Sequence, residues 1–361
     1  MFIVDAHLDL SMNAMEWNRD LTLPIDSIRN REKNQTDKPD RGHNMVSLPE
    51  LRKANIGIVV ATLIARFIEE SNPLSGWHSP EQAWAQTQGQ LAWYISMEQK
   101  GEMEMIKTKD DLSNQIHYWL DEKQETNQKK IGFILSLEGA DSIVNLDYLH
   151  AAHQNGLRAI GPAHYGPGRY ANGTDATGRL NEMGKSLLHE MNSLNMILDV
   201  THLCDDAFWD ALEIYSGPIW ASHNNCRTLV NHNRQFSDDQ IIALIERNAI
   251  IGGVMDAWMI VPDWKRGISK ADDLNCNLER LVDHMVHICT LAGNVHHIGI
   301  GSDLDGAFGY EQCPSDLNTI ADLQLLIDIF SKRGFTEEEI KKIMHQNWID
   351  FLSIHLPASL E

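Results

Sequence analysis

Two short apolar runs in the middle of the chain each end on a histidine. The first run, MILDVTH, ends on His202, and the second, PIWASH, ends on His223. Residues 204–215 between them place apolar side chains along one helical face, so the whole stretch predicts a β-α-β unit. The parallel strands of such a unit end at one edge of a sheet and, as neighbours, lie about 4.8 Å apart. Two imidazoles side by side at that edge could bind one metal ion.

Similar residues follow other predicted strands. His7 and Asp9 come at the end of the first apolar run, and the two-residue period of a strand places both side chains on one face. The strand-end residues that could ligate metal or carry a proton are His7, Asp9, Glu138, His164, His202, His223, Asp303 and Asp305. Six of the eight predicted strands end in such a residue, which favours a common site over chance placement.

The ligand types indicate the metal and the reaction. Nitrogen and carboxylate ligands without thiolates suit Zn²⁺, although Mn²⁺, Fe²⁺ and Co²⁺ accept the same groups. Three histidines and two carboxylates are more than one open tetrahedral site requires. Two metal ions bridged by one carboxylate would use them all and would lower the pKa of a bridging water enough to supply hydroxide near neutral pH. The residues therefore predict hydrolysis.

The elements that must position these residues are eight apolar runs alternating with helical patterns. This alternation is typical of a (β/α)8 TIM barrel, in which the carboxyl ends of the strands carry the functional residues. The predicted strands are 2–6, 56–65, 131–137, 157–163, the two runs that end on His202 and His223, 249–255 and 297–302.

Two segments exceed what a minimal barrel needs. Helical patterns at 79–99, capped by Ser79, and at 112–120 predict an inserted helical segment after the second strand, within a single domain over residues 1–361. The polar segment 29–44 predicts a long exposed loop that could serve as part of a substrate lid.

Composition excludes several classes of partner. The formal net charge of −21 disfavours nucleic acid and anionic lipid surfaces. No apolar run reaches the length of a membrane span, and the amino terminus MFIVDAHLDL lacks the features of a signal peptide. Five cysteines without C-x-x-C spacing favour neither disulfides nor a thiolate cluster, so the expected location is the cytoplasm.

Several motifs in their order along the chain carry a family resemblance. They are H-x-D after the first strand, E-G after the third, L-R before the strand that ends in His164, D-V-T-H, A-S-H at 221–223, Arg234 upstream of S-D-D, and G-S-D-L-D-G. Over nearly the whole chain, this pattern resembles the membrane (renal) dipeptidase family of binuclear zinc peptidases, which are amidohydrolase-type barrels.

The resemblance implies a role for each residue. His7, Asp9 and Glu138 would hold one zinc ion, Glu138 would bridge, and His202 and His223 would hold the second. His164 would contact the substrate and stabilise the oxyanion, Arg234 would bind the substrate carboxylate, and Asp305 would move the proton. By sequence alone Arg234 could also be a solvated loop arginine, and only the resemblance distinguishes Asp305 from Asp303 as the proton carrier.

The expected activity is hydrolysis of small L-L or L-D dipeptides. Alternatives are a related amidohydrolase that opens a lactam or cleaves an N-acyl amino acid, and a catalytically silent metal-binding barrel. The animal enzymes of the family have a signal peptide and a lipid anchor that this sequence does not show, so membrane attachment is not expected here. A homodimer is suggested by analogy alone. The loops after the second and seventh strands match no motif, which leaves specificity open.

Overall fold

The computed structural model describes residues 1–69, 74–121 and 123–358. Within these residues, nine strands form one sheet in which every pairing is parallel. The strands are β1 (Ile3–Leu8), β2 (Ile56–Ile64), β3 (Met103–Met105), β4 (Ile131–Glu138), β5 (Leu157–Gly161), β6 (Ile197–Asp199), β7 (Ile219–Trp220), β8 (Ile251–Gly253) and β9 (Ile298–Ile300).

Eight of these strands form a barrel. Neighbours follow the order β7-β6-β5-β4-β2-β1-β9-β8, and β3 pairs only with β4. A parallel bridge between Ala221 and Ile251 joins the end of β7 to β8 and closes the ring. The predicted (β/α)8 barrel is therefore confirmed. The short strand β3 was not predicted, and it lies beside the first half of β4.

The barrel strands are buried along their length. All six residues of β1 and all eight of β4 are buried. Parallel strands covered by helices bury both faces, so they appear in sequence as continuous apolar runs. That is why the first four barrel strands begin within one residue of their predicted starts.

The strands that precede His202 and His223 are shorter than predicted. β6 ends at Asp199 and β7 at Trp220. The Asp199 carboxylate accepts hydrogen bonds from the backbone N–H groups of Thr201 at 3.0 Å and Ser222 at 3.1 Å. A side chain thus accepts hydrogen bonds that backbone carbonyls would accept in a longer strand. The chain leaves the sheet before each histidine.

Helices cover the outside of the barrel. Those before β4 are α1 (Leu10–Glu16), α2 (Ile25–Glu32), α3 (Leu48–Lys53), α4 (Pro80–Gln99) and α5 (Lys109–Leu120). Those after β4 are α6 (Leu146–Gln154), α7 (Glu182–Ser193), α8 (Asp205–Ile214), α9 (Asp238–Glu246), α10 (Ala257–Ile260), α11 (Leu278–Ala292), α12 (Leu325–Lys332), α13 (Glu337–Lys341) and α14 (Asn347–His355), with a π-helical turn at Lys342–Gln346 between the last two. Short 3-10 helices lie at Thr126–Gln128, Ala140–Ser142, Asp272–Leu274, Tyr310–Gln312 and Ile320–Gln324.

The predicted helical segment after the second strand is present. It consists of α4 and α5, and Ser79 caps α4 by accepting a hydrogen bond from the backbone N–H of Gln82. The expectation of an exposed loop at 29–44 is confirmed for most of its length, since residues 33–44 lie outside helices and strands and residues 33–37 and 39 are exposed. Helix α2 includes its first residues, and Asp40 and Asn44 are fully buried. No helix in the described ranges has both the length and the apolar character that crossing a membrane requires.

Candidate metal centre

The candidate centre lies at the carboxyl ends of the barrel strands. There a cavity of about 320 Å³ opens over the barrel. Residues from several strand ends line it, including Asp9, Glu138, His164, His202, Arg234 and Asp303. The sequence argument placed functional side chains at this edge, and the structure brings these six into one cavity.

Glu138 is at the middle of the cluster. Its Oε1 atom lies 3.2 Å from Nε2 of His202 and 3.6 Å from Nε2 of both His7 and His223. A fourth histidine, His164, has its Nε2 atom 3.9 Å from the same oxygen. One buried carboxylate oxygen is therefore surrounded by imidazole nitrogens from four strand ends.

Hydroxyl groups bind three of the imidazoles at Nδ1, on the side of the ring away from Glu138. Ser222 Oγ lies 3.2 Å from Nδ1 of His7 and 2.9 Å from Nδ1 of His223. Thr174 Oγ1 lies 3.0 Å from Nδ1 of His202. Because each Nδ1 is bound on the outside, each Nε2 is turned toward Glu138. Hydrogen bonds of this kind fix the tautomer and the angle of a metal-binding histidine.

The donor set fits a divalent cation. His7 Nε2 is buried and, in the described part of the chain, has no hydrogen-bond partner. The nearest carboxylate oxygens belong to Glu138 at 3.6 Å and to Asp9 and Asp303 at 3.8 Å. These separations are long for hydrogen bonds. They suit a nitrogen and an oxygen that bind the same cation, each about 2 Å from it. Triplets with ligand atoms within 4.8 Å of one another include His7, Asp9 and Glu138.

The charges within the cluster also favour a cation. Burial opposes the charged form of His7, yet the carboxylates of Glu138, Asp9 and Asp303 raise its pKa to about 10. Burial raises the pKa of Asp9 to about 7, and the neighbouring Glu138 adds to this shift. Burial likewise raises the pKa of Asp303 well above its usual range. Three carboxylates crowded in a buried site repel one another, and a bound cation would relieve that repulsion.

Local backbone structure places the central residues. Glu138 ends β4, and Gly139 follows with φ of +79°. This left-handed conformation favours glycine, and it explains the E-G pair of the sequence. His202 has φ of +69° outside any strand or helix. A histidine in this conformation is uncommon, and such strain often occurs at functional sites.

The structure corrects one expectation about the site. The Asp305 carboxylate does not face the cluster, because it accepts hydrogen bonds from the backbone N–H groups of Met45 and Val46 at 2.8 to 3.0 Å. Asp303 takes the expected place instead, with its Oδ1 atom 3.8 Å from His7 Nε2. The carboxylate near the candidate metal-binding residues is therefore that of Asp303.

Arg234 is a buried residue of the cavity and not a solvated loop arginine. Its side chain donates from Nη2 to the backbone carbonyl of His223 at 2.9 Å. The Nη1 group is buried and has no hydrogen-bond partner among the described residues. A guanidinium held from one side, with donors left over, can bind a carboxylate.

Several site residues were not predicted. Arg66 follows β2 and donates from Nη2 to Nδ1 of His164 at 2.6 Å, and Asp256 follows β8 and also lines the cavity. Burial raises the pKa of Asp256 to about 7. Each is the first charged residue after the apolar run of its strand. The first charged residue after the apolar run was therefore the sequence signal that could have identified a functional residue at these two strand ends.

The fold and the site together define a metal-dependent hydrolase barrel. Residues 1–354 match the sequence profile of the membrane dipeptidase family, peptidase family M19. The chain belongs to this family. A dipeptidase of Claviceps purpurea, tcpJ, is 28% identical over 229 residues, which cover 61% of this chain and 51% of the relative. The chain thus spans about half the length of that relative.

Solved structures show the same fold. A metallopeptidase described as dipeptidase AC of family M19 is 22% identical, with a TM-score of 0.79 and 99% of both chains covered. A metallopeptidase from Rhodobacter sphaeroides, in complex with a phosphinate mimic of the dipeptide L-Ala-D-Ala, is 21% identical, with a TM-score of 0.78 and the same coverage. The sequence-based resemblance to this family is confirmed.

Proposed function

We propose that this chain hydrolyses the peptide bond of small dipeptides, of L-L or L-D configuration, at a pair of zinc ions. The observation that carries the proposal is the placement of Glu138 Oε1 within 3.9 Å of four histidine Nε2 atoms. The phosphinate mimic bound to the Rhodobacter sphaeroides structure supports a D residue at the second position.

The proposed ligands form two sets that share Glu138. His7 and Asp9 with Glu138 would hold one ion, and His202 and His223 with Glu138 would hold the other. When bound, two divalent ions would polarise the scissile carbonyl and supply hydroxide near neutral pH. His202 Nε2 and His223 Nε2 lie 3.3 Å apart, which suits two nitrogens directed at one cation.

The other residues of the cavity would act on the substrate. His164 would donate its Nε2–H to the oxygen that gains charge at the reacting carbonyl. Asp303 would accept a proton from the attacking water and return it to the leaving amine. This assignment replaces Asp305, whose carboxylate is held by backbone N–H groups.

Arg234 would restrict the enzyme to dipeptides. Its guanidinium lines the same cavity as Glu138 and Asp303, so the cavity could hold the terminal carboxylate and the reacting carbonyl of one short substrate together. We expect Arg234→Ala to raise KM for a dipeptide strongly and to leave KM for the matching dipeptide amide unchanged. Steady-state kinetics on both substrates measure this. Equal effects on the acid and the amide would remove Arg234 from this role.

The central experiment combines metal analysis with a substrate panel. The purified protein should bind two zinc ions per chain, measured by mass spectrometry. It should hydrolyse dipeptides with either configuration at the second position more rapidly than tripeptides, N-acyl amino acids or lactams. Hydrolysis only of N-acyl amino acids or lactams would replace the dipeptidase by another amidohydrolase. Full activity after complete metal removal would contradict the proposal.

The proposal also covers the location and the assembly of the protein. The five cysteines are free, as in proteins of a reducing compartment, so the cytoplasm is the proposed location. A homodimer rests on analogy and can be tested by light scattering.

A further inference from the structure

Arg66 is a cationic side chain that contacts His164 directly. Its Nη2 atom lies 2.6 Å from Nδ1 of His164, and Nη1 donates to the backbone carbonyl of Ser75 at 3.0 Å. The guanidinium therefore spans from the loop after β2 to the imidazole after β5.

The backbone around Arg66 is also fixed. Its carbonyl accepts a hydrogen bond from the backbone N–H of Trp77 at 2.8 Å. The next residue, Phe67, donates its backbone N–H to the buried carboxylate of Asp141 at 3.1 Å. Interactions on both sides hold the guanidinium in place, which is what a residue that orients another side chain requires.

The contact decides where the proton of His164 lies. An arginine nitrogen always carries hydrogen and can only donate, so Nδ1 of His164 must accept. A neutral imidazole that accepts at Nδ1 carries its hydrogen on Nε2. This Nε2 atom points toward Glu138 Oε1, 3.9 Å away, in the middle of the proposed metal site. Without Arg66, the imidazole could carry its hydrogen on either nitrogen and could rotate.

We propose that Arg66 is a positioning residue, which fixes the tautomer and the direction of His164 so that its Nε2–H donates into the centre of the site. The inference rests on the proposed function, because it gives this hydrogen bond the task of stabilising the reacting oxygen. The positive charge of Arg66 lies on the far side of the ring and strengthens the donor.

The first test does not depend on activity. Nitrogen-15 spectra of histidine-labelled wild-type protein should show His164 as the Nε2–H tautomer, its signals being assigned by their loss in His164→Gln. In Arg66→Gln, these signals should move toward a mixture of the two tautomers. A wild-type His164 with its hydrogen on Nδ1 would overturn the inference, whatever the protein hydrolyses.

The second test is a double-mutant cycle on a dipeptide that the wild-type protein hydrolyses. Arg66→Gln should lower kcat by about 10- to 100-fold, with KM changed less than about threefold and zinc content intact. Arg66→Lys keeps a donor and should recover part of the loss. In the His164→Gln background, Arg66→Gln should have little further effect, since residues that act as a unit are not additive.

The outcomes separate the two proposals. A rise in KM alone, or effects of Arg66→Gln and His164→Gln that simply multiply, would show that Arg66 does not act through His164. If the wild-type protein hydrolysed no dipeptide, the proposed function would fail, while the tautomer measurement would still decide whether Arg66 positions His164.

Discussion

At the scale of single residues, Asp303 and Asp305 show how backbone conformation assigns roles. Both follow β9, two positions apart, and an extended chain would point them the same way. Asp303 and Asp305 instead have φ of +57° and +65°, and Ala307 has +64°. The left-handed turns break the two-residue alternation, so one carboxylate faces the cluster and the other faces the backbone of Met45.

This divergence predicts opposite effects for the same substitution. Asp303→Asn should lower kcat by about 100-fold or more, because it removes the carboxylate proposed to carry the proton, with little change in stability. Asp305→Asn places an amide NH₂ against two backbone donors and should lower the free energy of unfolding by about 1 to 3 kcal/mol. Dipeptide kinetics and urea unfolding of both variants measure these effects. A larger loss of kcat in folded Asp305→Asn than in Asp303→Asn would restore Asp305 as the proton carrier.

The same comparison shows what sequence could reveal of the site. His7 and Asp9 were predicted to face one way, and they do, because β1 is extended as far as Leu8. The turn after β9 is not encoded by the two-residue alternation, so the sequence could not separate Asp303 from Asp305. The position of Arg66 after its apolar run was visible in the sequence, whereas its contact with His164 depends on tertiary structure.

At the scale of elements, the barrel was predictable because continuous apolar runs directly indicate buried parallel strands. Strands β6 to β9 are only two or three residues long. At the ends of β6 and β7, the Asp199 carboxylate accepts the backbone hydrogen bonds that a longer strand would make within the sheet. The spacing of apolar residues along the sequence does not reveal this kind of side-chain capping. In the segment 29–44, the polar residues Glu32 and Asp40 are buried although most of their sequence neighbours are exposed, because a buried arginine outside the segment pairs with them. This arginine, Arg19, binds both Glu32 and Asp40.

Closure of the barrel depends on a glycine in β8, which has no Cβ atom. A Cβ added to Gly252 would lie 2.0 Å from the carbonyl oxygen of Ser222, the residue that orients His7 and His223. A Cβ on the neighbouring Gly253 would lie 3.3 Å from the flexible Met285 side chain. The two glycines thus form a matched pair, of which only Gly252 lies against the backbone of Ser222.

We expect Gly252→Ala to lower the free energy of unfolding by at least about 1 to 3 kcal/mol, because backbone must move to admit the methyl group. It should also weaken zinc binding through Ser222. Gly253→Ala should cost less, because a methionine can adjust. Urea unfolding and zinc titration of both variants test this. Equal destabilisation, with equal zinc affinity, would show that the closure does not depend on the close approach at Gly252.

At the scale of the whole molecule, buried histidines outside the site make stability depend on pH. His284 accepts a hydrogen bond at Nδ1 from the backbone N–H of Cys226 at 3.1 Å, and its Nε2 lies 3.0 Å from the carbonyl of Ile260. Burial lowers the pKa of His284 from 6.5 to about 4. The unfolded chain therefore binds a proton at this position from about pH 6.5 downward, whereas the folded chain does so only near pH 4.

The contribution of His284 to stability should consequently fall as pH drops from about 6.5 toward 4. His284 alone would contribute up to roughly 2 to 3 kcal/mol over this range. His284→Gln keeps one acceptor and one donor but does not titrate, so its loss of stability between pH 7 and pH 4.5 should be smaller than that of the wild type. Urea unfolding in the presence of a chelator isolates the effect from metal loss. Parallel pH curves for the two proteins would contradict the assignment.

The proposed ligands also join parts of the chain that are far apart in sequence, from His7 to His223. A cation that binds the folded state alone would stabilise it by about 4 kcal/mol at a concentration 1,000 times its Kd. It would also relieve the repulsion between Asp9, Glu138 and Asp303. Chelation should therefore lower Tm and zinc should restore it.

Glu138→Gln should lose most of this zinc-dependent rise in Tm, because the substitution removes the charge and one ligand atom at the centre of the site. Glu104→Gln, which alters a half-exposed carboxylate paired with Lys130, should keep the whole rise and serves as the control. Thermal unfolding of the three proteins, with zinc and with chelator, measures the difference. An equal rise in all three would place the stabilising ion elsewhere, and no rise in the wild type would mean that the barrel is held together without it.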